Sequence, residues 1–327
     1  MREVAHEPPI SLDKTMEKTS IQWVKTPQSY VLRDLLEQVY DALSHNEAIF
    51  YGHGSDNPWD EAVYLVLAAL ELPLDSGEEV LDKVLTHAEV GKIEAFLEAR
   101  MINKIPLPYL MKKAFFAGLE FFIDPRVIIP RSPIGELIET NFEICRPWSL
   151  DITQINSVLD LCAGSGCIGI AMGVYYDYLD IDLAELSQAA IEVAKINLDQ
   201  YQVKYANRNF KNRVSLIQTD LFENLKNKTY DLILCNPPYV NAEDFETMPS
   251  EFSHEPVLAL VSGQDGLDLT RRILQEAKQH LSPNGFLILE VGNSALALEQ
   301  AYPALEIIWL ELDRGGVGVG LIRQESL

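Results

Sequence analysis

The chain lacks what would place it in a membrane or bind it with covalent cross-links. No apolar run approaches the roughly 20 residues needed to span a bilayer, and the opening stretch "MREVAHEPPISLDKTMEKTS" has no apolar core behind a basic end. A cytoplasmic location is therefore expected. Cysteine is scarce, with four residues, Cys145, Cys162, Cys167 and Cys235, and no CxxC spacing. That pattern predicts buried free thiols and no metal site, not a disulfide framework. Basic residues are also few, 26 Lys and Arg against 49 Asp and Glu, for a formal charge of −23. Such a chain repels phosphate backbones and anionic lipid and draws in basic partners, an effect screened within about 8–10 Å at physiological salt. The densest basic stretch, "KYANRNFKNR" (204–213), is short and reads as a solvated loop, so no direct nucleic-acid binding is expected.

What is present is enough apolar material for cores: 47% of 327 residues, a length that suggests two domains. Leu32, Leu35, Leu36, Val39, Tyr40 and Leu43 recur at helical spacing, as do Ala62, Leu65, Val66, Ala69 and Leu70, and a third helix is expected over about 78–100. Residues 1–112 thus read as a small helical domain. The aromatic and β-branched stretch "AFFAGLEFFIDPRVII" (114–129) reads as a hairpin linker, within 113–130. From 131 to 327 short apolar runs alternate with helical stretches, the mark of an α/β fold with a parallel sheet. Strands are expected at 158–161, 179–184, 214–218, 232–235 and 286–290, helices at 168–175, 187–201 and 267–281, and a closing antiparallel hairpin around Gly315-Gly316.

The segment "VLDLCAGSGCIGIA" (158–171) sets Gly164 and Gly166 between a strand and a helix, where the backbone can turn sharply and approach a ligand. Gly164, Gly166 and Gly169 also satisfy G-x-G-x-x-G, so a dinucleotide enzyme competes. Asp160 inside the strand favours S-adenosyl-L-methionine instead, since a carboxylate there can accept hydrogen bonds from water or from the ammonium of that cofactor's amino-acid end; an acid capping nearby N–H groups is the bland alternative. At the next strand end Asp180, Asp182 and Glu185 compete to bind ribose. Glu185, 21 positions after Gly164 and directly before a helix, is preferred. In "QTDLFENL", Asp220 lies at a strand's carboxyl end and could accept from an adenine amino group, with Leu221 or Phe222 against the ring; a turn or cap role is the alternative.

The fourth strand ends in Asn236-Pro237-Pro238-Tyr239, at the same sheet edge. An Asn side-chain oxygen and the Pro237 carbonyl could both accept from one NH₂ group, Pro238 would stiffen the turn, and Tyr239 would lie on a planar substrate. Glutamine and asparagine amides and the amino groups of adenine and cytosine fit that description. With no His nearby, hydride and acyl chemistry are disfavoured.

These segments resemble the protein glutamine N(5)-methyltransferases, whose motif is the same NPPY. "PRSPIGELI" (130–138), the glycine loop, "SHEPVLALVSGQDGLDLTRRIL" (253–274) and "EVGNS" (290–294) carry the likeness, which runs from about residue 31 to the end. They align it with the branch that modifies large-subunit ribosomal protein L-three, a basic partner consistent with the charge, and not with the release-factor branch. The resemblance implies a Rossmann-like seven-stranded class I methyltransferase domain, a helical substrate-recognition domain and S-adenosyl-L-methionine as donor. It places Gly164 and Gly166 on the cofactor loop, Glu185 at ribose, Asp220 by adenine, and Asn236, Pro237, Pro238 and Tyr239 around glutamine. Where the family usually has Asp followed by Ile-Ser, this chain has Glu185-Leu186-Ser187; a carboxylate remains, one methylene longer. Rival readings are release-factor methylation, adenine amino-methylation of nucleic acid with a flipped base, and a non-catalytic cofactor-binding assembly factor. Arg131 could support either pocket or make a surface ion pair.

Overall fold

The computed structural model describes residues 30–327. Helix α1 (Leu32–Ser44) buries Leu32, Leu35, Leu36, Val39 and Leu43, the stripe that its spacing predicts. Strand β1 (Tyr30–Val31) leads into it. Helix α2 (Pro58–Ala69) starts behind Asn57, whose side chain accepts the Asp60 N–H. The third helix begins later than expected. Residues 78–80 form a 3₁₀ turn and β2 (Val84–Leu85) pairs antiparallel with β1 before α3 (His87–Met101) starts. Thr86 and Glu89 form a reciprocal capping box there, which sets the start by satisfying the first free N–H groups. With α4 (Leu107–Met111) these helices enclose one apolar core around Leu35, Leu65, Ile93 and Leu97.

The expected hairpin is β3 (Lys113–Phe116) and β4 (Leu119–Phe122), joined by Ala117 and Gly118 at φ 46° and 66°. Two consecutive left-handed residues give the twist that a two-residue hairpin turn needs. Its strands end at Phe122, short of the expected stretch, because Asp124-Pro125 interrupts pairing.

Seven strands form the main sheet: β5 (Ser157–Leu161), β6 (Asp180–Glu185), β7 (Val214–Gln218), β8 (Tyr230–Cys235), β9 (Leu281–Glu290), β10 (Ile308–Trp309) and β11 (Val319–Arg323). Their order is β10-β11-β9-β8-β5-β6-β7. Neighbours from β9 through β8, β5 and β6 to β7 run parallel, and β11 returns antiparallel to both β9 and β10, as the Gly315-Gly316 turn predicts. Helices α5 (Ile134–Glu139), α6 (Cys167–Tyr175), α7 (Gln188–Lys204) and α8 (Phe210–Arg213) fall in the first half, with α9 (Ala242–Thr247), α10 (Asp268–His280) and α11 (Ala295–Ala301) in the second. The sequence reading missed α11, whose seven residues bury only Leu298 and so carry little periodicity. One apolar layer covers each sheet face. This is a Rossmann-like α/β fold. Because β6 and β8 leave β5 on opposite sides, the chain connections diverge at its carboxyl end, where open α/β sheets hold ligands. No helix among the described residues is long and apolar enough to cross a membrane.

Candidate active site

After β5 the chain turns through Cys162, Gly164 and Gly166, all left-handed, with φ of 64°, 55° and 79°. Gly166 is doubly constrained: a Cβ there would stand 2.8 Å from Leu183 Cδ2. Three side chains fasten this loop. Asp160 Oδ2 accepts the Gly169 N–H at 2.8 Å from beneath. Glu185 brackets the rim, Oε2 accepting from Gly164 N–H and Oε1 from Ser187 N–H, both at 2.8 Å. Asn197, fully buried on α7, donates to the Ser165 carbonyl at 2.9 Å and to the Phe122 carbonyl at 3.0 Å, and accepts the Phe122 N–H at 2.7 Å. The hairpin is thereby tied to the glycine loop.

A cavity of about 230 Å³ opens beside the loop, lined by Gly164, Glu185, Asp220, Leu221, Pro238 and Asn236. Asp160 and Gly166 are not in its wall. Asp160 is wholly buried and turned under the loop toward Gly169, so the structure favours the capping role over direct contact. Burial pushes its carboxyl up to about 7 against that hydrogen bond, with the charge of Glu185 adding to the rise, and its Oδ1 has no partner. Asp182 is engaged by Lys228 and the Tyr230 hydroxyl, and Asp180 is exposed at the start of β6, so of these three acids Glu185 is the one in the cavity wall. Asp220 Oδ1 accepts from Arg272 at 2.9 Å. Leu221, at φ 48°, reaches the cavity, whereas Phe222 stacks on His280 in the core. Cys145, Cys167 and Cys235 are buried free thiols as expected, but Cys162 is only half-buried, because it lies in the cavity wall.

A second cavity of about 510 Å³ is lined by Arg131, Asn236, Pro237, Tyr239, Phe252 and Glu290. Along NPPY the walls alternate: Pro237 and Tyr239 face this cavity, Pro238 faces the first, and Asn236 belongs to both. Three contacts hold Tyr239. Its hydroxyl donates to Glu290 Oε1 at 2.9 Å, its carbonyl accepts from Ser294 Oγ at 2.9 Å, and a Cβ on Gly292 would meet its ring at 2.6 Å. Burial and the neighbouring Glu290 charge hold the phenol protonated, well above its ordinary range. Glu290 Oε2 accepts from Ser132 Oγ at 2.5 Å, and burial raises this carboxyl despite the two hydroxyl donors. Glu290 escaped the sequence reading as a site residue, although an acid ending the buried run "FLILE" was a usable signal. Asn197 offered none, since a polar residue within an amphipathic helix ordinarily faces water. Arg131 makes no surface pair: it chelates Glu255, with Nη1–Oε1 at 2.7 Å and Nη2–Oε2 at 3.0 Å.

The arrangement can place a planar NH₂ group and a nucleotide-like ligand on opposite sides of one asparagine. Comparison with known proteins agrees with a transferase of this kind. The family model "Methyltransferase small domain" matches residues 149–263. A protein of Francisella tularensis subsp. tularensis named ribosomal protein uL3 glutamine methyltransferase is 44% identical over 298 residues, 91% of this chain and 91% of its own. One of the same name from Neisseria meningitidis serogroup B is 45% identical over 297 residues, covering 90% and 94%. A solved methyltransferase from Pyrococcus furiosus is similar at 15% identity and TM-score 0.42, over 63% of this chain and 88% of that one. The chain is a methyltransferase and belongs to the family of the ribosomal protein uL3 glutamine methyltransferases.

Proposed function

We propose that the protein transfers a methyl group from S-adenosyl-L-methionine to the side-chain amide nitrogen of a glutamine in ribosomal protein uL3, in the cytoplasm, without binding nucleic acid itself. The observation that carries this reading is the shared position of Asn236 in both cavity walls.

The first cavity suits the donor on chemical grounds. Each Glu185 oxygen takes one N–H and keeps a lone pair for a ribose hydroxyl. Asp220 keeps Oδ2 for an adenine amino group while Arg272 holds Oδ1, and Leu221 and Pro238 offer apolar surface to a ring. When bound, the donor would supply an electrophilic methyl group on its sulfonium sulfur, whose S–CH₃ bond breaks as the N–C bond forms, with the neutral thioether S-adenosyl-L-homocysteine as leaving group.

In the second cavity, the Asn236 side chain and the Pro237 carbonyl accept the two amide hydrogens of glutamine. An amide lone pair is delocalised into its carbonyl, and two acceptors draw the nitrogen toward a pyramidal geometry that localises it. Fixed alignment then lowers the barrier, by about 7–11 kcal/mol at the ideal limit. Tyr239, immobilised by Glu290, Ser294 and Gly292, closes one side of the amide. No strong base is required, because the nitrogen's proton becomes acidic only as the methyl arrives and then passes to water.

Asn236→Ala tests the clamp. Transfer to purified uL3 is expected to fall about 100-fold or more, the scale for losing one directed hydrogen bond in a transition state. Donor affinity measured by calorimetry is expected to change little. Turnover equal to wild type contradicts the mechanism.

A further inference from the structure

Beyond the reacting groups, a set of buried ion pairs joins the N-terminal helices to the acceptor cavity through residues 251–255. Glu255 is at its centre, with a side chain that is 0% exposed. Its Oε1 meets His53 Nε2 at 2.7 Å and Arg131 Nη1 at 2.7 Å, and its Oε2 takes Arg131 Nη2. An ionised carboxylate only accepts, so the histidine donates from Nε2; Nδ1 is buried with no partner among the described residues. Burial opposes the charge on Glu255, but His53 and Arg131 hold its carboxyl below the usual range. One turn earlier Glu251 accepts the Phe50 N–H and Arg100 Nη1, each at 3.0 Å, and Arg100 also binds Glu61. Between these two acids lies Phe252, its ring 5.2 Å from the Arg131 guanidinium and 4.5 Å from the His53 ring.

Arg131 and Phe252 both line the acceptor cavity, whereas His53, Phe50 and Arg100 belong to the helical unit. We propose that Glu255 is a positioning residue, which uses His53 of the helical unit to fix Arg131 and Phe252 as the acceptor cavity's wall. The helical unit therefore completes the site. Arg131 shares the cavity wall with Glu290, whose carboxyl feels its charge, and Glu290 holds the Tyr239 hydroxyl. A freed guanidinium would compete for that carboxylate and loosen Tyr239.

This inference rests on the proposed glutamine acceptor, and one set of kinetics separates the two. Methylation of purified uL3 is measured for wild type, Glu255→Gln, Arg131→Ala and the double variant, with donor affinity measured alongside. Glu255→Gln is expected to raise KM for the protein acceptor about tenfold or more, lower kcat less, and leave donor affinity within about twofold. The double variant is expected to be no worse than Arg131→Ala alone, because a residue that acts through another adds nothing once that other is gone. Additive losses, or a loss that follows donor affinity, overturn the role. If Glu255→Gln folds poorly, His53→Asn, which leaves the Arg131–Glu255 pair intact, is expected to give a smaller KM rise with kcat and donor affinity held; an unchanged KM overturns the role. A wild-type protein that labels no uL3 contradicts the acceptor assignment instead, and the same cycle then runs on whichever glutamine acceptor it does label.

Discussion

Two polar residues near the cavities do opposite jobs. Asn236 meets both ligand spaces, while Asp160, one of the site acids expected from sequence, lies wholly inside. Burial, with the nearby Glu185 charge, raises the Asp160 carboxyl from 3.8 to about 7, and the hydrogen bond from Gly169 only partly offsets this. A carboxyl that is easier to protonate folded than unfolded contributes most below its unfolded value, and the contribution is lost as pH rises through the folded one. Asp160→Asn removes that term. The difference in thermal midpoint between wild type and this variant is therefore expected to shift against wild type from about pH 4 to about pH 7. A difference that stays constant over that window contradicts a protonated Asp160. Sequence could place an acid here but could not tell which way it turned, since both a cofactor contact and a Gly169 cap fit an acid inside the strand.

At the level of elements, the site depends on connections that periodicity does not reveal. Strand alternation and glycine spacing made β5, β6, β7 and β8 legible, along with the sheet edge they share: β5 and β8 are buried almost throughout, whereas β6 alternates and β7 buries only Val214. Short elements were less legible: β10 has two residues and β2 another two, too few for any pattern. The hairpin itself was legible, but its grip on the glycine loop through Asn197 was not, since the contact joins residues 75 apart in sequence. Asn197→Ala would leave the buried Ser165 carbonyl and the half-buried Phe122 N–H and carbonyl without their side-chain partner, at a cost of about 1–3 kcal/mol for each group that water does not reach. The variant is expected to unfold at lower temperature and to bind the donor more weakly, because Ser165 lies between Gly164 and Gly166. Loss of stability with donor affinity intact would show that the hairpin does not support the loop.

For the whole molecule, 49 acidic against 26 basic residues fit a basic protein acceptor and oppose a nucleic-acid one. In the proposed mechanism the two cavities, the clamp between them and the N-terminal helices tied to the larger cavity through Glu251 and Glu255 form one functional arrangement. The separate acid clusters that fasten it were illegible in sequence, where Glu251 and Glu255 are two acids among many and their partners lie 124 to 202 positions away. The central claim is the identity of the acceptor. It is tested most directly by incubating the protein with methyl-labelled S-adenosyl-L-methionine and, separately, purified uL3, release factor and DNA, then locating the label by mass spectrometry. The account predicts a single methyl group on one glutamine side chain of uL3. Label in the release factor or DNA, with none in uL3, would contradict it.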